Sequence, residues 1–120
     1  MDDRGPLLRL HDIVEFADRV ASYIGPLDYR QFVVNAMARD AVERNIEKIS
    51  EASRHIPDSL KADYMHVPWR QVADIGNFLR HGYDRIDDET MWNIARLELP
   101  ALKVVAEDMI RRLEMEEKNG

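Results

Sequence analysis

Between Asn77 and Arg85 the chain places an amide, two guanidiniums, an imidazole and a phenol, on Asn77, Arg80, Arg85, His81 and Tyr83. No other stretch brings a histidine, a tyrosine and two arginines within six residues. Histidine can both take and give a proton near neutral pH, because its ordinary pKa lies there. A guanidinium can stabilise charge building on phosphate oxygens. Attack of a ribose 2′-oxygen on its neighbouring phosphate needs that combination. His81 is therefore the candidate acid/base, and Arg80 and Arg85 are the candidate cations. Asn77 can hydrogen-bond a phosphate or orient the His81 ring.

These residues need a helix to hold them. Pro68 suits a first helical position, where its missing N–H costs nothing. Trp69, Val72 or Ala73, Gly76, Leu79 and Tyr83 then recur at helical spacing as one buried stripe. Arg70, Asp74, Asn77 and His81 form a second, polar stripe. Asn77 precedes His81 by one turn, so both side chains can address one ligand. Arg80, adjacent in sequence, points about 100° away from His81. Gly82 is a plausible stop, leaving Tyr83 just past the helix end. Arg85 follows that break and can fold back. Arg80 and Arg85 have a plainer use, pairing with Asp84, Asp87 and Asp88 on the surface. Gly76 also has a structural use, because a small residue lets two helices approach closely, across a dimer axis for instance.

The remaining segments read as scaffold. Leu10, Ile13, Val14, Ala17, Val20, Ala21 and Ile24 fit one amphipathic helix, which Gly25-Pro26 ends. Asp28 with Gln31 is a capping-box start for a second. Its pattern runs from Tyr29 to about Ile56, with Phe32, Val33, Ala36, Met37, Ala41, Val42, Ile46 and Ile49 on the core side. Glu51, near its end, is either solvated or turned toward the site. Residues 57–68 form a less regular connection holding one short turn. Asp87 or Asp88 can cap a helix carrying Met91, Trp92, Ile94, Ala95 and Leu97. Pro100 kinks that helix or starts another, with Leu102, Val105, Ala106, Met109, Ile110 and Leu113 on its apolar face. Arg111 and Arg112 are expected near its end, complementing the helix dipole. Trp69 and Trp92 read as core anchors. No segment alternates with period two. The expected fold is all-α, an antiparallel up-and-down bundle of four to five helices forming a single domain over residues 1–120.

Composition narrows the function classes. With 120 residues, 45% of them hydrophobic, the chain can build a core. No apolar run approaches the roughly 20 residues that cross a bilayer. The opening residues lack the features of a signal peptide, so a cytoplasmic location is expected. The absence of cysteine excludes disulfides and thiolate zinc sites. A net charge of −6 argues against broad nonspecific nucleic-acid binding, though not against a local basic site for one RNA. Glu51 with His55, and His11 with Glu15, each offer two metal ligands where a site wants three or four. No phosphate-binding glycine loop and no serine or cysteine nucleophile motif is present. No metal and no organic cofactor are expected.

The run Trp69-Arg70 … Asn77-Phe78-Leu79-Arg80-His81-Gly82-Tyr83-Asp84, then Ile86-Asp87, resembles the HepT-like branch of the HEPN superfamily, toxin halves of bacterial toxin–antitoxin pairs. The resemblance extends to Leu10-His-Asp-Ile-Val14, to Ala41–Ala52, to the Trp92 helix and to Leu99-Pro-Ala-Leu102. The family motif is an arginine, a polar residue, three further positions, a histidine, any residue, then tyrosine. Asn77, His81 and Tyr83 fill the last three named places, and Gly76 stands at the arginine. The resemblance implies a HEPN-like bundle acting as a homodimer, with two such helices facing across a shared cleft. It implies a metal-independent endoribonuclease toxin of a type VII-like system, acting on tRNA. The implied partner is an MntA-like nucleotidyltransferase antitoxin that silences the toxin by AMPylation of Tyr83. His81, Asn77 and Arg80 would be catalytic, with Arg85, Glu51 and Asp84 in support, and Arg80 of the other subunit is a further source of the cation. The alternative is a catalytically impaired HEPN module that dimerises and binds a partner or a nucleotide, the arginine having been lost at Gly76.

Overall fold

Leu10, Ile13, Ala17, Val20 and Ile24 are all buried along one side of the first helix, α1 (Gly5–Ile24). Pro6 lies in its first turn, where an absent N–H breaks no intrahelical bond. We describe the chain from a computed structural model that defines residues 5–81 and 86–119, with the His81 side chain outside the described part. Among the described residues there is no strand.

Asp28 starts α2 (Tyr29–Val34) with the expected capping box. The Gln31 N–H donates to Asp28 Oδ1 at 2.8 Å, and the Asp28 N–H donates to Gln31 Oε1 at 2.9 Å. The helix expected to continue to Ile56 instead breaks at Asn35, whose backbone is extended. Asn35 ends α2 and its side chain caps α3 (Ala36–Arg54), accepting from the Ala38 N–H at 2.9 Å. An asparagine side chain competes with the backbone for hydrogen bonds in this way, so it favours caps over helix interiors. The break rephases the apolar stripe. Phe32, Val42, Ile46 and Ile49 are buried, whereas Met37, expected on the core side, is 84% exposed. Ala36 and Ala21, expected there too, are also exposed.

The connection holds α4 (Asp58–Lys61) and a 3-10 turn (Ala62–Tyr64). Tyr64 is buried. Its hydroxyl donates to Asp108 Oδ2 at 2.6 Å and accepts from Arg112 Nη1 at 3.1 Å. Arg112 Nη2 also donates to Asp63 at 2.8 Å. The helix α5 (Trp69–His81) follows, its first backbone bond running from the Val72 N–H to the Pro68 carbonyl. Pro68 is thus the residue before the helix, one place earlier than expected.

Asp87, rather than Asp88, caps α6 (Asp88–Asn93). The run then continues without interruption through a π turn (Ile94–Glu98) into α7 (Leu99–Asn119). Pro100 is the second residue of α7, directly after that turn. In an α-helix its ring would press on the carbonyl four residues back. The wider turn, in which the Leu99 N–H donates to the Ile94 carbonyl, accommodates it. Leu97, expected in the core, is turned outward and 63% exposed. Because α7 reaches Asn119, Arg111 and Arg112 lie about two turns before its end. They serve side-chain bonds to Asp108, Asp63 and Tyr64 rather than the helix terminus.

The helices pack as an all-α, HEPN-like bundle. α1 lies against α3 and α7, and α3 in turn carries α5. Trp92 is half-buried and sits on Phe32, with ring centroids 5.2 Å apart. Trp69 is also half-buried, its indole N–H bonded to the Tyr64 carbonyl at 3.1 Å. Both tryptophans therefore anchor the core from its edge. Burial of the chain's aliphatic stripes supplies the main stabilisation, about 25 cal/mol for each Å² of apolar surface removed from water.

Candidate functional site

The motif helix α5 is fixed by an interlock with α3. Ser50 is buried. Its Oγ donates to the Ala73 carbonyl at 2.8 Å and accepts from the Gly76 N–H at 3.1 Å. Arg54 Nη2 donates to the same Ala73 carbonyl at 2.8 Å. Gly76 is what allows the approach, since a Cβ there would lie 2.7 Å from Ser50 Cβ and closer still to its Oγ. Glycine within a helix costs about 1 kcal/mol relative to alanine, and here the approach it permits offsets that cost. The close packing anticipated at Gly76 thus occurs within one chain, between α5 and α3.

Asn77 and Arg80 lie on the exposed side of α5. Arg80 Nη2 donates to Asn77 Oδ1 at 3.0 Å. This bond draws the guanidinium back toward Asn77, on the face that helical spacing assigns to Asn77 and His81. The Asn77 amide N–H groups face no partner in that bond and can still donate. His81 is the last residue of α5. Tyr83, Asp84 and Arg85 lie outside the described residues. The chain re-enters the description at Ile86, and Asp87 then caps α6. Its Oδ1 accepts from the Thr90 N–H at 2.8 Å and its Oδ2 from the Thr90 hydroxyl at 3.0 Å. These bonds, the backbone one foremost, hold the Asp87 carboxyl below the ordinary carboxylate range. Asp88 faces Arg39 at 3.5 Å.

Arg80 also lines a cleft of about 390 Å³ bounded by α1, α3 and α5. Glu51 lines the same cleft. It remains exposed and is bonded to His55, Oε1 to Nε2, at 3.3 Å. His11 and Glu15 share an open face of α1. Among the described residues no group of three or more histidines and carboxylates is disposed to hold a metal ion.

Two contributions to the site were not read from the sequence. Ser50 carries the seat of α5, and its signal was a small polar residue on the Ile46–Ile49 side of an otherwise apolar stripe. The basic residues Arg9, Arg44 and Lys48 join Arg80 in the cleft from two other helices. They are scattered in sequence, so no motif marks them.

A bundle of this kind, carrying the Asn77-to-His81 spacing on its motif helix, matches one known family along most of its length. The family described as ribonuclease HepT-like matches residues 13–109, and the chain belongs to it. A protein of Methanocaldococcus jannaschii named "Putative RNase" is 32% identical over 92% of this chain and 92% of its own. A second protein of that organism with the same name is 37% identical over 78% of this chain and 86% of its own. The "Probable ribonuclease HepT" of Thermococcus cleftensis is 30% identical, again over 78% and 86%. No solved structure matches the chain. Among the described residues, no helix is long and apolar enough to cross a membrane.

Proposed function

We propose that the chain is a single-domain ribonuclease toxin in which His81 and Arg80 act on the scissile phosphate group of an RNA. The observation that carries this reading is the placement of Asn77 and His81 one turn apart at the end of α5, with Arg80 bonded to Asn77, in a chain of the HepT-like family. His81 takes the proton from a ribose 2′-hydroxyl, and the 2′-oxygen attacks the adjoining phosphorus. The bond from phosphorus to the 5′-oxygen breaks, that oxygen is protonated, and a 2′,3′-cyclic phosphate remains. Arg80 bears on the phosphate oxygens as negative charge gathers there. Asn77 holds Arg80 through its carbonyl oxygen and offers its amide N–H groups to the phosphate. None of these steps requires a metal ion.

The finer reading makes tRNA the substrate and a homodimer the working unit, located in the cytoplasm. Its partner is an MntA-like nucleotidyltransferase antitoxin. That partner silences the toxin when the Tyr83 phenol oxygen attacks the α-phosphorus of ATP. Pyrophosphate leaves, the phenol proton is lost, and AMP stays on Tyr83. Arg85, Asp84 and Glu51 are assigned supporting places around the reacting groups.

Gly76 favours a second reading. Ser50 occupies the space that a side chain at the motif-arginine position would need, so a chain in which Arg80 does not substitute for that arginine would be a non-catalytic module that dimerises and binds a partner or nucleotide. One assay separates the two. Wild type and His81→Ala, freed of antitoxin, are incubated with bulk tRNA and EDTA and the new RNA ends are mapped. Cleavage by wild type alone, leaving cyclic phosphate ends, is the expected result. No cleavage by a wild type whose intact mass shows unmodified Tyr83 would leave the binding module as the answer.

A further inference from the structure

The chain carries a net charge of −6, so most of its surface repels a polyanion and a bound RNA must be held by a local cluster of cations. Arg9 of α1, Arg44 and Lys48 of α3 and Arg80 of α5 all line the cleft of about 390 Å³. Arg80 is the member that the ribonuclease reading already assigns to the scissile phosphate. The other three extend the positive surface away from it, across two further helices.

The cations differ in how far they are neutralised. Arg44 stands 4.0 Å from Glu47. Among the described residues, Arg9 and Lys48 have no carboxylate partner. Lys48 is instead placed by the Phe16 ring, its Nζ 5.2 Å from the centroid. An aromatic face attracts an ammonium without cancelling its charge, so the lysine is fixed in place and still available to an anion. Phe16 lines the same cleft. The carboxylates there, Asp12, Glu47 and Glu51, keep it from being a uniformly positive trough. They also provide acceptors for the exocyclic amino groups of bases, an interaction that carboxylates make with nucleic acid.

We propose that this cleft is the seat for the RNA strand next to the cut, with Arg9, Lys48 and Arg44 binding the phosphates that flank the one at Arg80. The inference rests on the ribonuclease reading for the position of the cut, and on the cleft alone for the binding. Bonds to phosphate fix the register of a nucleic acid on a protein without reading its sequence. Arg9, Lys48 and Arg44 are thus positioning residues for the reaction.

Binding and cleavage of bulk tRNA, measured side by side, test it. Binding is titrated with His81→Ala as the background, so that no strand is cut, and repeated with Arg9→Ala and Lys48→Ala added together. Cleavage kinetics compare wild type with the Arg9→Ala/Lys48→Ala double variant. A control double variant, Arg30→Ala/Lys118→Ala, removes the same charge from exposed positions elsewhere. The cleft variants are expected to weaken binding and raise KM about 10-fold or more at 0.1 M salt, with kcat little changed. The slope of log affinity against log salt concentration should fall by roughly 1 for each phosphate that is no longer neutralised. The control should match the background in slope. Unchanged affinity and slope in the cleft variants would overturn the inference, as would an equal loss in the control. If wild type whose intact mass shows unmodified Tyr83 binds through these cations but cuts nothing, the ribonuclease reading fails and the assignment of the cleft stands.

Discussion

Ser50 stands where a side chain on residue 76 would have to be, its Cβ 2.7 Å from the position a Cβ on Gly76 would take. The same serine bonds two backbone groups of α5, so the space and the hydrogen bonds are one arrangement. Neither neighbour can move without breaking it.

Gly76→Ala is therefore expected to destabilise the fold by about 1–3 kcal/mol, the usual cost of overpacking, despite alanine's better helix propensity. Urea unfolding of the two proteins measures it. Gly76→Arg, which rebuilds the family motif on paper, should lower both stability and RNA cleavage. A gain in activity with unchanged stability would show that α3 and α5 separate readily, contrary to this packing.

Arg80 has a sharper expectation attached. If it supplies the charge that the motif arginine otherwise would, Arg80→Ala should lower kcat by about 10²–10³-fold. Arg80→Lys should recover little, because an ammonium lacks the planar fork that can reach both Asn77 and a phosphate. Asn77→Ala should give a smaller loss, since it frees the guanidinium without removing it. Single-turnover cleavage with saturating enzyme separates these effects from binding, and full activity in Arg80→Ala would transfer the cationic role elsewhere.

Tyr64 ties the connection between α3 and α5 to α7. Tyr64→Phe removes a partly buried hydroxyl that donates to Asp108 and accepts from Arg112, and should cost about 1 kcal/mol. Because α5 begins five residues after this clamp, the variant should also loosen Trp69, which bonds the Tyr64 carbonyl. Thermal unfolding with tryptophan fluorescence as the readout would register both, and an unchanged midpoint would mean the clamp adds nothing net.

Acid should act through the same clamp. The Tyr64 hydroxyl first, and Arg111 next, hold the Asp108 carboxyl below its ordinary value of 3.8, and Thr90 does the same for Asp87. The folded chain thus binds these protons less readily than the unfolded chain. Their contribution to stability is complete above that ordinary value and is lost as pH falls through the lowered folded values. Burial, with Asp108 beside it, raises Tyr64 above its ordinary 10.0, so its contribution is present below that value and is lost as pH rises through the folded one. Melting profiles across both windows should be flatter for Tyr64→Phe than for wild type, and parallel profiles would count against this assignment.

The bundle was legible in the sequence where burial alone decides side-chain placement. Leu10, Ile13, Ala17, Val20 and Ile24 of α1 and the α7 stripe from Leu102 to Ile110 are buried as expected, because a regular period has one way to face a core. Of the other expected α1 residues, Val14 is half-buried and Ala21 exposed. Where a short-range polar bond competes with the period, the period does not decide the structure. Asn35 lies within the pattern that runs from Tyr29 to about Ile56, and its side chain, accepting from the Ala38 N–H, divides that run into two helices. Leu97 and Met37 were misplaced because a π turn and a helix break shift the phase on which their assignment relied. The candidate site is marked in the sequence by the cluster from Asn77 to Arg85, of which Asn77 and Arg80 have described side chains. Its support is not, because the groups that seat α5 come from Ser50, 26 residues before Gly76, and the cleft cations come from two other helices. Partners so far apart in sequence leave no local pattern.

The π turn at Ile94–Glu98 makes the last third of the chain sensitive to length more than to composition. Each residue of an α-helix turns the next through about 100°, so residues four apart drift by about 40° per step. The wider turn lessens that drift between Met91, Ala95 and Leu99, which are all buried. Deleting one residue there would restore ordinary winding and set the Pro100 ring against the carbonyl then four residues before it. The turn indexes the C-terminal helix to the rest of the bundle, as a tooth on a gear sets the wheel it meshes with.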